Sequence, residues 1–240
     1  MVKNEPVLNI HRQVVDQLGK LIVGGSLAPG DPLPSEELLA GQLVVSRSAL
    51  REAMKVLGAK GLIESRQKTG ARVRERCFWH QLDADVLGWR FAAMPTRAFL
   101  AELIEMREII EPAAAAAAAQ KRDRDQLGAI GAACKAMADA ADRDAWARAD
   151  VEFHSAVLNA ANNELMSSLF NVIATALHSF FVLSARASED FKYSLPNHFD
   201  VYDAIRRRSA PQARAAMQRL VDDSRRHLRR CAENNAEAAA

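Results

Sequence analysis

The stretch LPSEELLAGQLVVSRSALREAMKVLGAKGLIESR, residues 33–66, admits few folds. Pro34 and Ser35 mark a helix start: the Ser35 hydroxyl can accept from an orphan amide, and Glu36 and Glu37 suit the positive end of the helix dipole. Val44 and Val45 interrupt this helix. Ser46 then caps a second one that runs to about Lys60, where Gly61 can take the left-handed conformation that ends helices. In it Leu50, Ala53, Met54 and Leu57 recur at i, i+3, i+4 and i+7, which defines one buried stripe. Off that stripe Arg47, Arg51 and Lys55 form a column of cations at four-residue spacing. The alternating runs Leu62–Ser65 and Ala71–Arg74 flank Arg66-Gln67-Lys68-Thr69-Gly70 and predict a two-stranded wing with a basic tip, where Gly70 permits close approach to a backbone. A first helix over residues 8–23, with Leu8, Val14, Val15, Leu18, Leu21 and Ile22 on one face, packs behind this pair and is broken by Gly24, Gly25, Pro29 and Gly30.

The cation column has two readings. As a solvated face it is cheap, since like charges at i, i+4 cost about 0.2–0.5 kcal/mol per pair. As an anion site it begins at a helix N-terminus, where free amides and the dipole favour negative charge, and it is bracketed by the hydroxyls of Ser46 and Ser48. Residues 47–76 carry nine Lys/Arg against three Asp/Glu in a chain of net charge +2. The anion that fits is a nucleic-acid backbone, with the second helix in a major groove. The charge is divided accordingly: residues 1–76 hold 12 Lys/Arg and 8 Asp/Glu, the remainder 20 and 22.

Asp31-Pro32-Leu33-Pro34-Ser35-Glu36, Val45-Ser46-Arg47, Leu50-Arg51-Glu52-Ala53, Gly61-Leu62-Ile63 and Gly70 resemble the winged helix-turn-helix of GntR-family transcription regulators, nearly unbroken from Ile22 to Val73. The resemblance implies that Arg47 and Arg51 occupy the positions that touch operator bases, and that Ser46, Ser48 and Thr69 match phosphate- or base-contacting positions. With Ser35, Lys55, Arg66 and Gly70 these make up the expected DNA-binding set. Glu37 stands where some relatives carry a contacting Arg, which alters the expected operator and not the mechanism.

The rest of the chain changes character. Glycine becomes rare, alanine abundant, and helix periodicity continues over 83–93, 96–119, 122–140, 144–161, 163–185, 196–208 and 211–232. Pro112 is expected to kink its helix ahead of the alanine run 113–119. Seven helices without a sheet imply an all-α bundle. The expected division is a DNA-binding domain over 1–76, a linker and connecting helix over 77–95, and an all-helical effector-binding and dimerisation domain over 96–234. No apolar run is long enough to span a membrane, the N-terminus lacks a signal peptide's apolar centre, and Cys77, Cys134 and Cys231 are too few and too scattered for a disulfide framework or zinc cluster. The expected compartment is a reducing cytoplasm.

Glu105-Met106-Arg107 with Glu111-Pro112, Asp150 with Phe153-His154, Asn163, and His198 ahead of Ala204-Ile205 resemble the FCD effector domain, the FadR-type helical domain of one branch of the GntR family. Within that branch, Leu82–Trp89 and Leu220–Ser224 are similar to galactonate-responsive repressors.

Asp150 and His154, four apart, lie on the apolar stripe continued by Val157, Leu158 and Ala161; His198 is followed inward by Val201, Tyr202 and Ile205. An internal Asp–His hydrogen bond satisfies the first two. A divalent-metal site satisfies all three, with zinc favoured and nickel second. The resemblance implies one Asp and three His, but Leu220 stands at the third His position, and His227 is seven residues on, about 10 Å along a helix. The site is therefore weakened, or open and completed by water or effector oxygens, or it is a metal-free pocket. Arg107, among Leu103, Ile104 and Ile110, faces the core; it pairs with Glu111 or takes an effector carboxylate bidentately. Asn163 is expected to serve folding. Arg186, Trp89, Trp146 and His178 are further pocket candidates that nothing in the sequence places.

The function expected is a homodimeric repressor of a sugar-acid catabolic operon. It binds a short palindrome and is released by a small carboxylate, such as galactonate or a related aldonic or aldaric acid, held by Arg107, Asp150, His154 and His198. The alternative is a metal-dependent enzyme, since three ligands and an open position also describe catalytic zinc; the chain carries no His-Glu helix motif to supply its general base. A DNA-architectural protein without an effector is the other rival, and the inward polar residues argue against it.

Overall fold

The apolar spacing of the front of the chain becomes three helices, α1 (Glu5–Val23), α2 (Glu36–Leu43) and α3 (Arg47–Ala59), followed by the antiparallel strands β1 (Ile63–Arg66) and β2 (Gly70–Val73). This computed structural model describes residues 5–66, 70–93, 97–186 and 190–237. It divides into two units, Met1–Pro95 and Thr96–Ala240. No described helix is long and apolar enough to cross a membrane.

In the first unit Leu50, Ala53 and Leu57 of α3 are wholly buried against Val14, Leu18 and Ile22 of α1, with Leu62, Ile63 and Val73 of the wing closing the core. The wing pairs Ile63 with Val73 and Arg66 with Gly70. Residues 30–33 lie along its outer edge, where Leu33 N–H donates to Ala71 O and Val73 N–H to Asp31 O (2.8 and 2.9 Å). This third, bridging segment contains Pro32, whose missing amide is tolerated at an edge. Between α2 and α3 the chain turns through Val44 in the left-handed region (φ 54°), an unusual conformation for a β-branched residue. Gly61 ends α3 at φ 77°, and a Cβ there would sit 2.1 Å from the Phe78 carbonyl oxygen.

Residues 77–95, read as linker and connecting helix, include among the described residues most of a 3-10 turn (Arg76–Phe78) and helix α4 (Ala84–Ala92), which packs on α1. Trp89 lies over Gly19, where a Cβ would fall 2.5 Å from its ring, and its indole N–H donates to Asp16 at 2.8 Å. Asp83 caps α4 by accepting from the amides of Asp85 and Val86, while its carboxylate takes Lys60 Nζ at 2.8 Å; Lys60 also pairs with Asp85 at 2.7 Å. The end of α3 is thereby tied to the start of α4.

The second unit contains helices α5 (Arg97–Lys121), α6 (Arg124–Asp139), α7 (Arg143–Ala160), α8 (Glu164–Arg186), α9 (Leu195–Arg206) and α10 (Ala210–Glu237) and, among the described residues, no strand. Pro112 lies inside α5, which runs on to Lys121. Ala114, Ala115, Ala118 and Ala119 are buried, and α10 is the principal neighbour of α5. α7 is the central element, flanked by α5, α6 and α8, with its Phe153, Val157 and Leu158 wholly buried. Asn163 accepts from the Met166 amide at the start of α8, a folding role as expected. Cys134 is a buried free thiol, its pKa pushed up to about 12 by burial.

Candidate functional site

The helix-turn-helix surface is built by two caps. Ser35 Oγ accepts from Leu38 N at 3.3 Å and Ser46 Oγ from Ala49 N at 3.2 Å, with Ser48 Oγ 3.0 Å from Ser46 Oγ. Capping uses oxygen lone pairs and leaves a hydroxyl proton to donate outward. The side chains of Arg47, Arg51 and Lys55 are 64%, 64% and 72% exposed, while Leu50 on the same helix is wholly buried, so the column does stand off the core stripe. Each cation faces a carboxylate: Arg47 Nη2 lies 2.7 Å from Glu37, Arg51 Nε 2.7 Å from Glu36, and Lys55 Nζ 2.7 Å from Glu52. Spacing along α3 gave no sign of the two pairs reaching from α2. Gly70 opens β2 at φ 79° with free space where a Cβ would be. Arg66 ends β1; its side chain and the whole of Thr69 lie outside the described residues.

The second site lies inside the helical unit. Arg107 and Glu111 (α5), Asp150 and His154 (α7) and His198 (α9) are all buried, and they touch one another. Asp150 Oδ1 is 3.1 Å from His154 Nε2 and 3.2 Å from His198 Nε2. His198 Nδ1 donates to the Ser194 carbonyl at 2.8 Å, which leaves Nε2 aimed at Asp150. His154 Nδ1 lies 2.7 Å from Glu111 Oε2, and Arg107 Nε donates to Glu111 Oε1 at 2.6 Å. Arg107 Nη2 reaches His154 Nε2 at 3.1 Å. Both expectations for Arg107 thus share one residue, since the Glu111 pair still leaves the guanidinium on the cavity wall.

The charges are set by this packing. Burial alone would push Glu111 up, but Arg107 and then His154 outweigh it and hold its carboxyl at about 2. Asp150, likewise raised by burial, is held well below the usual carboxylate range by its bonds to His154 and His198. Burial disfavours the charged form of His154, yet Glu111 and Asp150 raise its pKa overall.

These donors fit a divalent metal. Asp150, His154 and His198 each offer an atom within 4.8 Å of the others. A tetrahedral zinc with ligands at about 2.0–2.1 Å needs ligand atoms about 3.3 Å apart, near the separations from Asp150 to the two rings. Each ring turns its other nitrogen to an oxygen, Ser194 O or Glu111 Oε2, the arrangement that fixes metal-binding imidazoles. Leu220 lines the same cavity beside Trp146, Tyr193 and Ser224, so the position lacking a histidine is apolar. Of the other pocket candidates, Trp146 is in the wall; Trp89 belongs to α4 in the first unit, and His178 is not in the lining. The side chains of Arg186 and His227 lie outside the described set. The cavity measures about 20 Å³, room for an ion or a water and not for a sugar acid.

Comparisons with known proteins agree with both halves. Residues 10–73 match the model of the bacterial regulatory proteins of the gntR family, and residues 102–223 match the FCD domain. The chain is 34% identical to the galactonate operon transcriptional repressor of Escherichia coli, over 92% of this chain and 98% of that one. It is 33% identical to the HTH-type transcriptional regulator LutR of Bacillus subtilis, over 82% and 91%. A solved Streptococcus agalactiae GntR structure superposes with a TM-score of 0.50 at 29% identity, covering 90% of this chain and 99% of that one. Lar, described as controlling the Listeria monocytogenes agr system, shares the fold at a TM-score of 0.65 and 23% identity, over 92% and 96%. The relatives matched by sequence are transcription regulators, and GntR regulators bind operator DNA and effectors. The chain belongs to the GntR family of bacterial transcriptional regulators, in the branch whose helical half is an FCD domain.

Proposed function

We propose that the protein is a repressor of a sugar-acid catabolic operon, released from its operator when a small carboxylate binds beside a divalent metal in the helical unit. The observation that carries this reading is the convergence of Asp150, His154 and His198 on one point of a buried cavity that Arg107 also lines. A divalent ion on neutral imidazoles, with Arg107, outweighs Asp150 and Glu111 by one positive charge, so the loaded site favours an anion. Asp150, His154 and His198 would hold the ion, zinc in preference to nickel, and it would supply a Lewis acid for hydroxyl and carboxylate oxygens. Arg107 would take the acid's second carboxylate edge. Similarity to a galactonate operon repressor supports an aldonic or aldaric acid as effector.

On DNA, two copies of the chain would read a short palindrome, because a two-fold dimer matches a two-fold operator. Arg47 and Arg51 supply base contacts, each worth roughly 1–3 kcal/mol of discrimination when bidentate to guanine. Ser35, Ser46, Ser48, Lys55 and the wing residues Arg66, Thr69 and Gly70 serve the backbone. A coupling of about 1–3 kcal/mol between effector and operator, roughly 5–150-fold, suffices for release.

The test is a thermal-shift series of aldonic and aldaric acids with and without chelator, paired with a mobility shift on the protein's own promoter fragment. The expected result is a rise in midpoint with galactonate or a close relative, abolished by chelator, and loss of the shifted band at the same concentrations. Stabilisation by no acid, or stabilisation indifferent to chelator, refutes the metal-assisted site. No preference for the promoter over random duplex refutes the DNA-reading assignment.

A further inference from the structure

The two arginines at the front of α3 are engaged differently by the carboxylates of α2. Glu37 takes Arg47 through a terminal nitrogen, Nη2, at 2.7 Å. Glu36 takes Arg51 through Nε, also at 2.7 Å. Guanidinium carries five N–H donors in a rigid plane, and bidentate reading of a guanine uses two of them side by side. A carboxylate on Nη2 competes for that edge. A carboxylate on Nε leaves the whole Nη1/Nη2 fork free, and no further bond to Arg51 occurs among the described residues.

Helix-dipole complementarity explains acidic residues at the start of α2. It does not explain why Glu36 reaches a residue fifteen positions away on the next helix. The contact restricts the rotamers of a long side chain, partly neutralises its charge, and keeps its outward edge unspent.

Resting on the reading of α3 as the base-reading helix, we propose that Glu36 is a specificity-determining positioning residue, which buttresses Arg51 at Nε so that its terminal fork meets one base pair. Two effects follow. Pre-ordering the fork lowers the entropy lost when it engages guanine. Neutralising Arg51 weakens its pull on phosphate, the contact that every sequence offers equally. Both effects raise the ratio of operator binding to random binding.

The test uses full-length protein, a duplex selected from a random pool by the unaltered chain, all its single-base-pair variants, and a random duplex of equal length. Arg51→Ala identifies the base pair that Arg51 reads. Glu36→Gln, which keeps shape and removes charge, is expected to relax discrimination at that same base pair about 5- to 20-fold and nowhere else. Its random-duplex affinity is expected to rise about two- to fivefold, a range set by exposed ion pairs. The salt dependence on random duplex should steepen by about 0.9 in log–log slope, the release of one more counter-ion. If Glu36→Gln unfolds, Glu36→Asp withdraws the carboxylate by one methylene while keeping the helix-start charge, and the same base pair is expected to relax. Uniform weakening at every position, or relaxation at a different position from Arg51→Ala, overturns the buttress. Unchanged discrimination in Arg51→Ala itself refutes the DNA-reading assignment, and the inference falls with it.

Discussion

His154 lies between two carboxylates, Glu111 on its Nδ1 side and Asp150 on its Nε2 side. If the cluster holds the proposed ion, removal of His154 is expected to empty that position while Arg107 and Glu111 keep each other paired. His154→Ala should lose stoichiometric metal, measured by elemental analysis after dialysis, and lose the effector response while retaining operator binding; unchanged metal content would discard the ligand set. Helical spacing in the sequence joins Asp150 to His154 and Arg107 to Glu111, since both pairs are four apart on one helix. The Glu111–His154 contact joins α5 to α7, and no spacing within either helix announces it. Val44 makes a different residue-scale point. Read from the sequence it only interrupts a helix, yet it holds φ 54° while 89% exposed. The left-handed conformation costs a side chain about 1–2 kcal/mol, and glycine's looser unfolded state takes back about 0.4–1 kcal/mol. Val44→Gly should therefore raise stability by up to about 1.6 kcal/mol in denaturant unfolding, and a loss of stability would mean that the valine makes a compensating contact.

At the scale of elements, boundaries came readily where capping chemistry was written in the chain. Ser35 and Ser46 start α2 and α3, and Gly61 ends α3; the Asp123–Gln126 capping box puts the start of α6 at Arg124, two residues beyond the expected 122. The location of α4 was equally plain, but its attachment was not. Trp89 meets Asp16 and Gly19 from far along the sequence, a match of surfaces that periodicity does not carry. The start of α4 has its own pH signature. Burial pushes Asp83 up, but Lys60 and the cap amides outweigh it, so its folded pKa is below the ordinary 3.8. A carboxyl with a depressed folded pKa stabilises fully above its unfolded value and loses that contribution as pH falls through the folded one. Lys60 is raised above 10.5 by the same partners despite burial, and its contribution is fully present below 10.5 and lost as pH rises through the folded value. Docking of α4 should thus weaken below about pH 4, seen as a change in Trp89 fluorescence. Asp83→Asn keeps an oxygen that can cap α4 and removes only the Lys60 ion pair, so it should lessen that acid dependence and cost up to about 1 kcal/mol at neutral pH, while Asp16 beneath the Trp89 indole keeps its share. An acid transition undiminished in the variant would assign it to another group.

For the molecule as a whole, the division into a basic front and a helical rear was legible because charge and periodicity change together beyond Cys77. The size of the interior hollow was not, because Trp146, Phe191, Tyr193 and Leu220 come from separate stretches of sequence. That hollow has room for an ion or a water, and the proposed acid would enter only if its walls part. On the proposed function sensing would then be gated in time: uptake would proceed no faster than the walls open, however abundant the acid. In stopped-flow mixing of metal-loaded protein with the acid, the observed rate should level off with concentration instead of climbing linearly toward the diffusion limit. The same gate slows departure, so the promoter would stay open for a while after the nutrient has gone, and brief fluctuations in supply would be averaged out.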